Sequence, residues 1–139
     1  MSVVVWEGSE IPHVDLLSRA TVGLGSLKGR IDALNGELER LREVGVYLTD
    51  DLRPVVPGLS KRKDNGRVVG YVLVWPTWYA RKAGVKRRRY VGKRDLESVQ
   101  ACRSRTCRYF DLKESRDRLV AELLQAGREL GNLVAWYGW

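Results

Sequence analysis

Residues 57–96 read PGLSKRKDNGRVVGYVLVWPTWYARKAGVKRRRYVGKRDL, and the fold turns on this stretch. At its centre, Asp64-Asn65-Gly66 is a hairpin-turn signal, because Asn and Gly accept the positive φ of tight turns that match strand twist. Arg67–Trp75 follows (RVVGYVLVW) and is rich in β-branched and aromatic residues, which suit a pleated, half-buried surface. Alternation places Val69, Tyr71, Leu73 and Trp75 on one face, with Val68, Val72 and Val74 on the other. On the near side of the turn, Leu59–Lys63 predicts a short strand behind a loop holding Pro54 and Pro57. Pro76 is expected to end or bulge the second strand. Trp78–Lys82 is read as its resumption, Ala83-Gly84 as a second turn, and Lys86–Val91 as a final strand. Residues 55–92 are therefore expected to form a two- or three-stranded antiparallel sheet.

Charge is concentrated in the same region. The chain carries 25 Lys/Arg and 17 Asp/Glu, a net +8 over 139 residues. Between Arg53 and Arg108 there are sixteen Lys/Arg and three Asp/Glu, a balance of +13, which leaves nine and fourteen, or −5, for the rest. A basic middle between mildly acidic flanks is the electrostatic footprint of a polyanion binder. The cations are Lys61, Arg62, Lys63, Arg67, Arg81, Lys82, Lys86, Arg87, Arg88, Arg89, Lys93 and Arg94. Arg predominates, which suits bidentate contacts to phosphate or guanine. Trp75, Trp78, Tyr79 and Tyr90 lie among them, placed to stack on bases or pack beneath Arg stems. The plainer alternatives are an acidic protein partner, or charges that serve only to deter edge pairing of the strands.

Both flanks have helical periodicity. Leu24, Leu27, Ile31, Leu34, Leu38 and Leu41 form a heptad seam, extended backwards by Ala20. A first helix is expected over residues 11–45, beginning near Ile11-Pro12 and stopping at Gly45. Leu119, Leu123, Ala126, Leu130, Leu133 and Tyr137 form a second seam, continued back through Leu112, Tyr109, Thr106, Val99 and Leu96. A second helix is expected over 95–137, with Asp95 as N-cap and a break near Phe110-Asp111 as an alternative. Each seam needs a partner. Either the two pack antiparallel on one another or they mediate a homo-oligomer or larger complex. The fold class expected is α+β, a single domain over 1–139: an antiparallel, coiled-coil-like helical hairpin with the small sheet inserted at its tip. Val3–Trp6 and Val134–Trp139 would then cover each other at the opposite pole.

Signals for catalysis are sparse. The one histidine, His13, has no Cys or acidic cluster around it. Cys102 and Cys107 are five apart, on different faces of a helix, and read as reduced thiols. Asp50-Asp51 is a carboxylate pair beside a proline-containing loop and reads as a turn. The glycines of Val22–Arg30 (VGLGSLKGR) lack the Lys-Ser/Thr ending of a phosphate loop. No catalytic residue, metal ligand or cofactor is expected. No apolar run reaches the roughly 18–20 residues of a membrane span, and no secretory signal is visible at Met1–Trp6. A cytoplasmic protein without membrane contact is expected.

The pattern of residues 57–96 resembles a bacterial family of uncharacterised proteins encoded near transposases. Members have a leucine-rich helix, an aromatic strand, a basic turn, an Arg-x-Arg-Tyr-Val/Ile-x-Lys strand and a long final helix. Arg87-Arg88-Arg89-Tyr90-Val91-Gly92-Lys93 matches that motif, and Tyr71, Leu73 and Trp75 stand where the aromatic strand would be. The likeness spans nearly the whole chain. Where that family often has a Cys-rich turn, this chain has Lys61–Gly66, so no metal-binding expectation carries over. About forty residues of the same stretch are also similar to the arm-type DNA-binding domains of tyrosine recombinases, in which a small sheet enters the major groove with a helix behind it. The resemblances bear on architecture more than on function. With the basic sheet, the function expected is non-enzymatic nucleic-acid binding, DNA favoured over RNA, as an accessory of a mobile element, phage or defence system; the rival is an oligomeric coiled-coil adaptor, structural or inhibitory protein whose basic tip docks an acidic partner.

Overall fold

The computed structural model describes residues 12–137. Ile11, the Val3–Trp6 part of the expected terminal cap, its end at Gly138 and Trp139, and the side chains of His13, Ala20, Leu133 and Tyr137 lie outside what is described. The element order is α1 (Pro12–Val44), β1 (Gly58–Asp64), β2 (Arg67–Val74), α2 (Thr77–Ala83), β3 (Arg88–Val91) and α3 (Leu96–Tyr137). The chain is therefore α+β, with three helices and one three-stranded antiparallel sheet in the order β1-β2-β3. No described helix is long and apolar enough to cross a membrane. Internal contacts divide the chain into two compact units, residues 1–36 with 114–139, and residues 37–113.

The first unit is helical. Ile31 and Leu119 are buried, while Leu24, Leu27 and Leu34 of α1 and Leu123, Ala126 and Leu130 of α3 are half-buried. These are the apolar positions of the two heptad seams, and the side chains between them are mostly exposed. Within this unit Arg116 donates from Nη1 to Asn35 Oδ1 at 3.3 Å.

The second unit holds the sheet. Asn65 (φ 49°) and Gly66 (φ 77°) both take left-handed conformations, as the two central residues of a type I′ hairpin require. Asp64 accordingly pairs with Arg67. Leu73, Val91 and Val99 form the core, with Tyr47, Leu59, Tyr71 and Trp75 packed around it. One face of the sheet thus lies against the start of α3. Asp95 occupies the N-cap position of that helix, its carbonyl accepting from the Val99 amide at 2.9 Å. The helix runs unbroken through Phe110-Asp111.

The segment between α1 and β1 is tied down by polar contacts. Gly45 (φ 128°) follows the last residue of α1, and its carbonyl accepts from Arg105 Nε at 2.7 Å and from the Cys102 thiol at 3.6 Å. Thr106 is fully buried in the apolar series because its hydroxyl is satisfied both ways: it accepts from the Tyr47 amide at 3.0 Å and donates to the Cys102 carbonyl at 2.7 Å. Arg103 Nε donates to the Pro57 carbonyl at 2.8 Å. Asp50-Asp51 lies in a tight turn, where Thr49 donates its hydroxyl proton to Asp51 and Arg53 pairs with Asp51 at 3.0 Å. The Thr49 hydrogen bond holds the Asp51 carboxyl below its usual range.

Three details depart from the sequence reading. First, Trp78–Lys82 is helix α2, not a strand. Pro76 sits at its N-cap with extended ψ, and its carbonyl accepts from Ala80. Gly84 (φ 66°) closes the helix, its amide returning to the Ala80 carbonyl. The Ala83-Gly84 "turn" is therefore a helix C-cap. Second, β3 begins at Arg88 and not Lys86, although the Trp75 amide still donates to the Arg87 carbonyl at 2.7 Å. Third, the alternation of β2 slips. Arg62 pairs with Gly70 and Lys63 with Val68, so Val69 is an extra, bulged residue. It is 48% exposed, while Val68 takes the half-buried position expected for it.

Candidate functional site

The register fixes which side chains share the sheet face turned away from the core. Leu59, Lys61 and Lys63 of β1 alternate with Ser60, Arg62 and Asp64. Leu59 opposes the buried Leu73, so the second set points outward. On β3, Arg89 opposes Leu73 and Val91 opposes Tyr71, whereas Arg88 opposes Val74 and Tyr90 opposes Val72. The outer face therefore collects Ser60, Arg62 and Asp64 from β1, Val72 and Val74 from β2, and Arg88 and Tyr90 from β3. Counting back along β2 by twos would put Arg67 on the core side. The extra residue at Val69 returns it to the outer face, opposite Asp64.

Within this face the Arg62 guanidinium lies over the Tyr90 ring, 4.6 Å from its centroid. The two residues are on opposite edge strands. Arg62 crosses β2 at its partner Gly70, where no side chain stands in the way. Tyr90 is 71% exposed, so its other face is open. A tyrosine at that exposure contributes little to the core, and Arg62 stiffens a ring that would otherwise sample several rotamers. The half-buried Val72 and Val74 form the floor beneath, and Arg62, Arg67 and Arg88 are exposed around it.

Of the sixteen residues singled out in the sequence, fourteen are exposed and Trp75 and Tyr79 are half-buried, and their elements sort them into groups. Lys61, Arg62 and Lys63 are on β1, and Arg67 opens β2. Trp78, Tyr79, Arg81 and Lys82 are on α2. Lys86 and Arg87 precede β3, which carries Arg88, Arg89 and Tyr90. Lys93 and Arg94 lie in the turn before α3. Of these, only Arg62, Arg67, Arg88 and Tyr90 come together on the outer face. Lys61, Lys63 and Arg89 belong by register to the core side and reach solvent past its margins. Arg87 donates from Nε to the Trp75 carbonyl at 3.3 Å.

Tyr79 is half-buried because it packs between two tryptophans. Its ring centroid is 4.9 Å from Trp75 and 6.1 Å from Trp78. Trp75 in turn meets Tyr47 edge to face at 5.1 Å. Trp78, at 54% exposure, is the open end of this aromatic row. Ser60 and the crossing position Gly70 belong to the outer face and were not singled out from sequence. Pairing outward from the Asn65-Gly66 turn would have found Ser60 opposite Val72, once the bulge is allowed for.

Comparison with protein-family models, with curated proteins and with solved structures returns no match.

Proposed function

We propose that this chain binds duplex nucleic acid, DNA in the first place, by laying the outer face of its sheet into a groove, and that it does so without catalysing a reaction. The observation that carries this reading is the placement of Arg62, Arg67, Arg88 and Tyr90 on one sheet face, over the half-buried Val72 and Val74. Three strands spaced about 4.8 Å apart put about 10 Å between the outer backbones, and the B-form major groove is about 12 Å wide. Arg side chains from such a face reach guanine edges or flanking phosphates, and the open ring of Tyr90 meets a sugar or a thymine methyl. Lys61, Lys63, Arg87, Lys93 and Arg94, at the margins, extend the cationic track along the backbone. On this reading α1 and α3 act as an antiparallel hairpin that presents the sheet, and the chain serves as a nucleic-acid-binding accessory.

The test is a gel shift with a mixed-sequence duplex at low salt, comparing wild type with Arg62→Glu/Arg67→Glu/Arg88→Glu. Three charge reversals on the contacting face are expected to weaken binding by at least about a hundredfold. Equal shifts for both proteins sink the assignment. If instead the wild type retains nothing but an acidic protein after nuclease treatment of a pull-down, the basic face is a protein-docking surface.

A further inference from the structure

Beside the outer face, the end of the sheet carries a recess of about 480 Å³ that the binding mode above does not use. Trp75 and Tyr79 line it together with Val85, and Lys86, Arg88 and Arg89 complete the wall. Its two halves differ in chemistry. The aromatic half is a tilted ring pair, Trp75 and Tyr79, with planes 39° apart and both side chains half-buried. Each ring therefore keeps open surface toward the recess. The other half is cationic, three positive side chains with no carboxylate among the lining residues. Flat apolar surface next to clustered positive charge fits a ligand that is itself flat at one end and anionic at the other.

The volume falls within the range of small-ligand pockets. A nucleotide satisfies both halves, with its base against the rings and its phosphate against the cations. Arg88 connects the recess to the sheet face. Its register places it opposite Val74 on the outer face, and it is also among the residues that line the recess. A strand on the outer face that reaches Arg88 therefore meets a residue of the recess lining. We propose that the recess receives one unpaired nucleotide of the bound nucleic acid, so that the protein prefers a duplex with an extrahelical base over a fully paired one. This rests on the sheet-face reading and adds a specificity to it.

The experiment uses the full chain and two labelled duplexes of equal length, one fully paired and one with a single bulged 2-aminopurine. Fluorescence anisotropy reports affinity for each, and 2-aminopurine emission reports stacking. Base–aromatic stacking of this kind is expected to give a preference of about tenfold for the bulged duplex, with quenching of the 2-aminopurine at saturation. Val85→Trp fills the recess without removing charge and should bring the affinity ratio to about one and abolish the quench. Val85 is 47% exposed, so this change leaves the core alone. If wild type binds both duplexes equally with emission unchanged, the recess assignment is wrong and the sheet-face reading stands. A preference that survives Val85→Trp likewise overturns it, since the base then sits elsewhere. Failure to bind either duplex at low salt overturns both.

Discussion

Tyr90 is an exposed aromatic held in place by a cation two strands away, and this pair is the smallest piece of the proposed interface. Tyr90→Ala removes the ring that Arg62 covers, leaving the core of Leu73, Val91 and Val99 untouched. Folding stability should change by less than about 0.5 kcal/mol, in the range of surface substitutions, while duplex affinity falls about tenfold, within the range measured for removing one stacking aromatic. Denaturant melts and anisotropy titrations on the same preparation separate the two effects. Tyr47 behaves in the opposite way, because it belongs to the core. Burial pushes its hydroxyl above the ordinary tyrosine value, and the neighbouring Cys102 acts in the same direction, against Arg89 and Arg103. The folded state thus holds this proton more tightly than the unfolded chain does. The resulting stability is complete below the unfolded value, about pH 10, and is lost as pH rises through the higher folded value. The urea midpoint should therefore drop on going from about pH 8 to about pH 11, and drop less in Tyr47→Phe.

Among the elements, the β1–β2 hairpin was the most legible, because its turn has a conformational requirement that few residues meet. Asn65 and Gly66 both have positive φ, and Gly66→Ala should cost about 1–2 kcal/mol, measured as a shift in the urea midpoint, with the outer-face residues retained. The long helices were legible for a similar reason: the 33 residues of α1 and the 42 of α3 supply many repeats of their apolar period. Helix α2 was not, because seven residues give barely two turns. Its aromatic and basic side chains are equally at home in a strand, and its decisive signals, Pro76 and Gly84, also punctuate hairpins. The bulge at Val69 was illegible for a different reason. A single extra residue leaves the composition of a strand unchanged while exchanging its faces. The candidate site inherits both limits. Its charges could be counted from the sequence, but their division between the outer face, the core-side margin and α2 depends on a register that the third strand and the bulge establish only once folded.

Over the whole molecule, positive charge follows the division into units. Residues 37–113 carry nineteen Lys/Arg and nine Asp/Glu, a net +10, leaving six and eight, a net −2, for the other unit. A polyanion is therefore drawn to one unit only, and at physiological salt the field of that unit is screened within about 8 Å. Arg118→Glu/Arg128→Glu, two exposed changes on α3 in the helical unit, should alter duplex affinity by less than about twofold. By contrast, Arg62→Gln/Arg88→Gln should flatten the slope of log affinity against log salt by about 2, one for each phosphate that is no longer neutralised. A salt titration from about 50 to about 200 mM resolves that difference. Equal slopes for the two double variants would mean that attraction is spread over the whole chain.

The carbonyl of Gly45, which collects Arg105 and the Cys102 thiol, gives the molecule an internal clock. Cys107 lies exposed on the same helix, five residues on. Two thiols of one chain thus differ in access but share a single covalent background. A thiol-reactive dye should label the exposed Cys107 fast and the half-buried Cys102, engaged at the Gly45 carbonyl, more slowly, giving two phases of equal amplitude. The slow phase then times the breathing of the sheet-bearing unit without any introduced probe. Its retardation by added duplex would report, in seconds or minutes, how firmly a bound partner holds that unit shut.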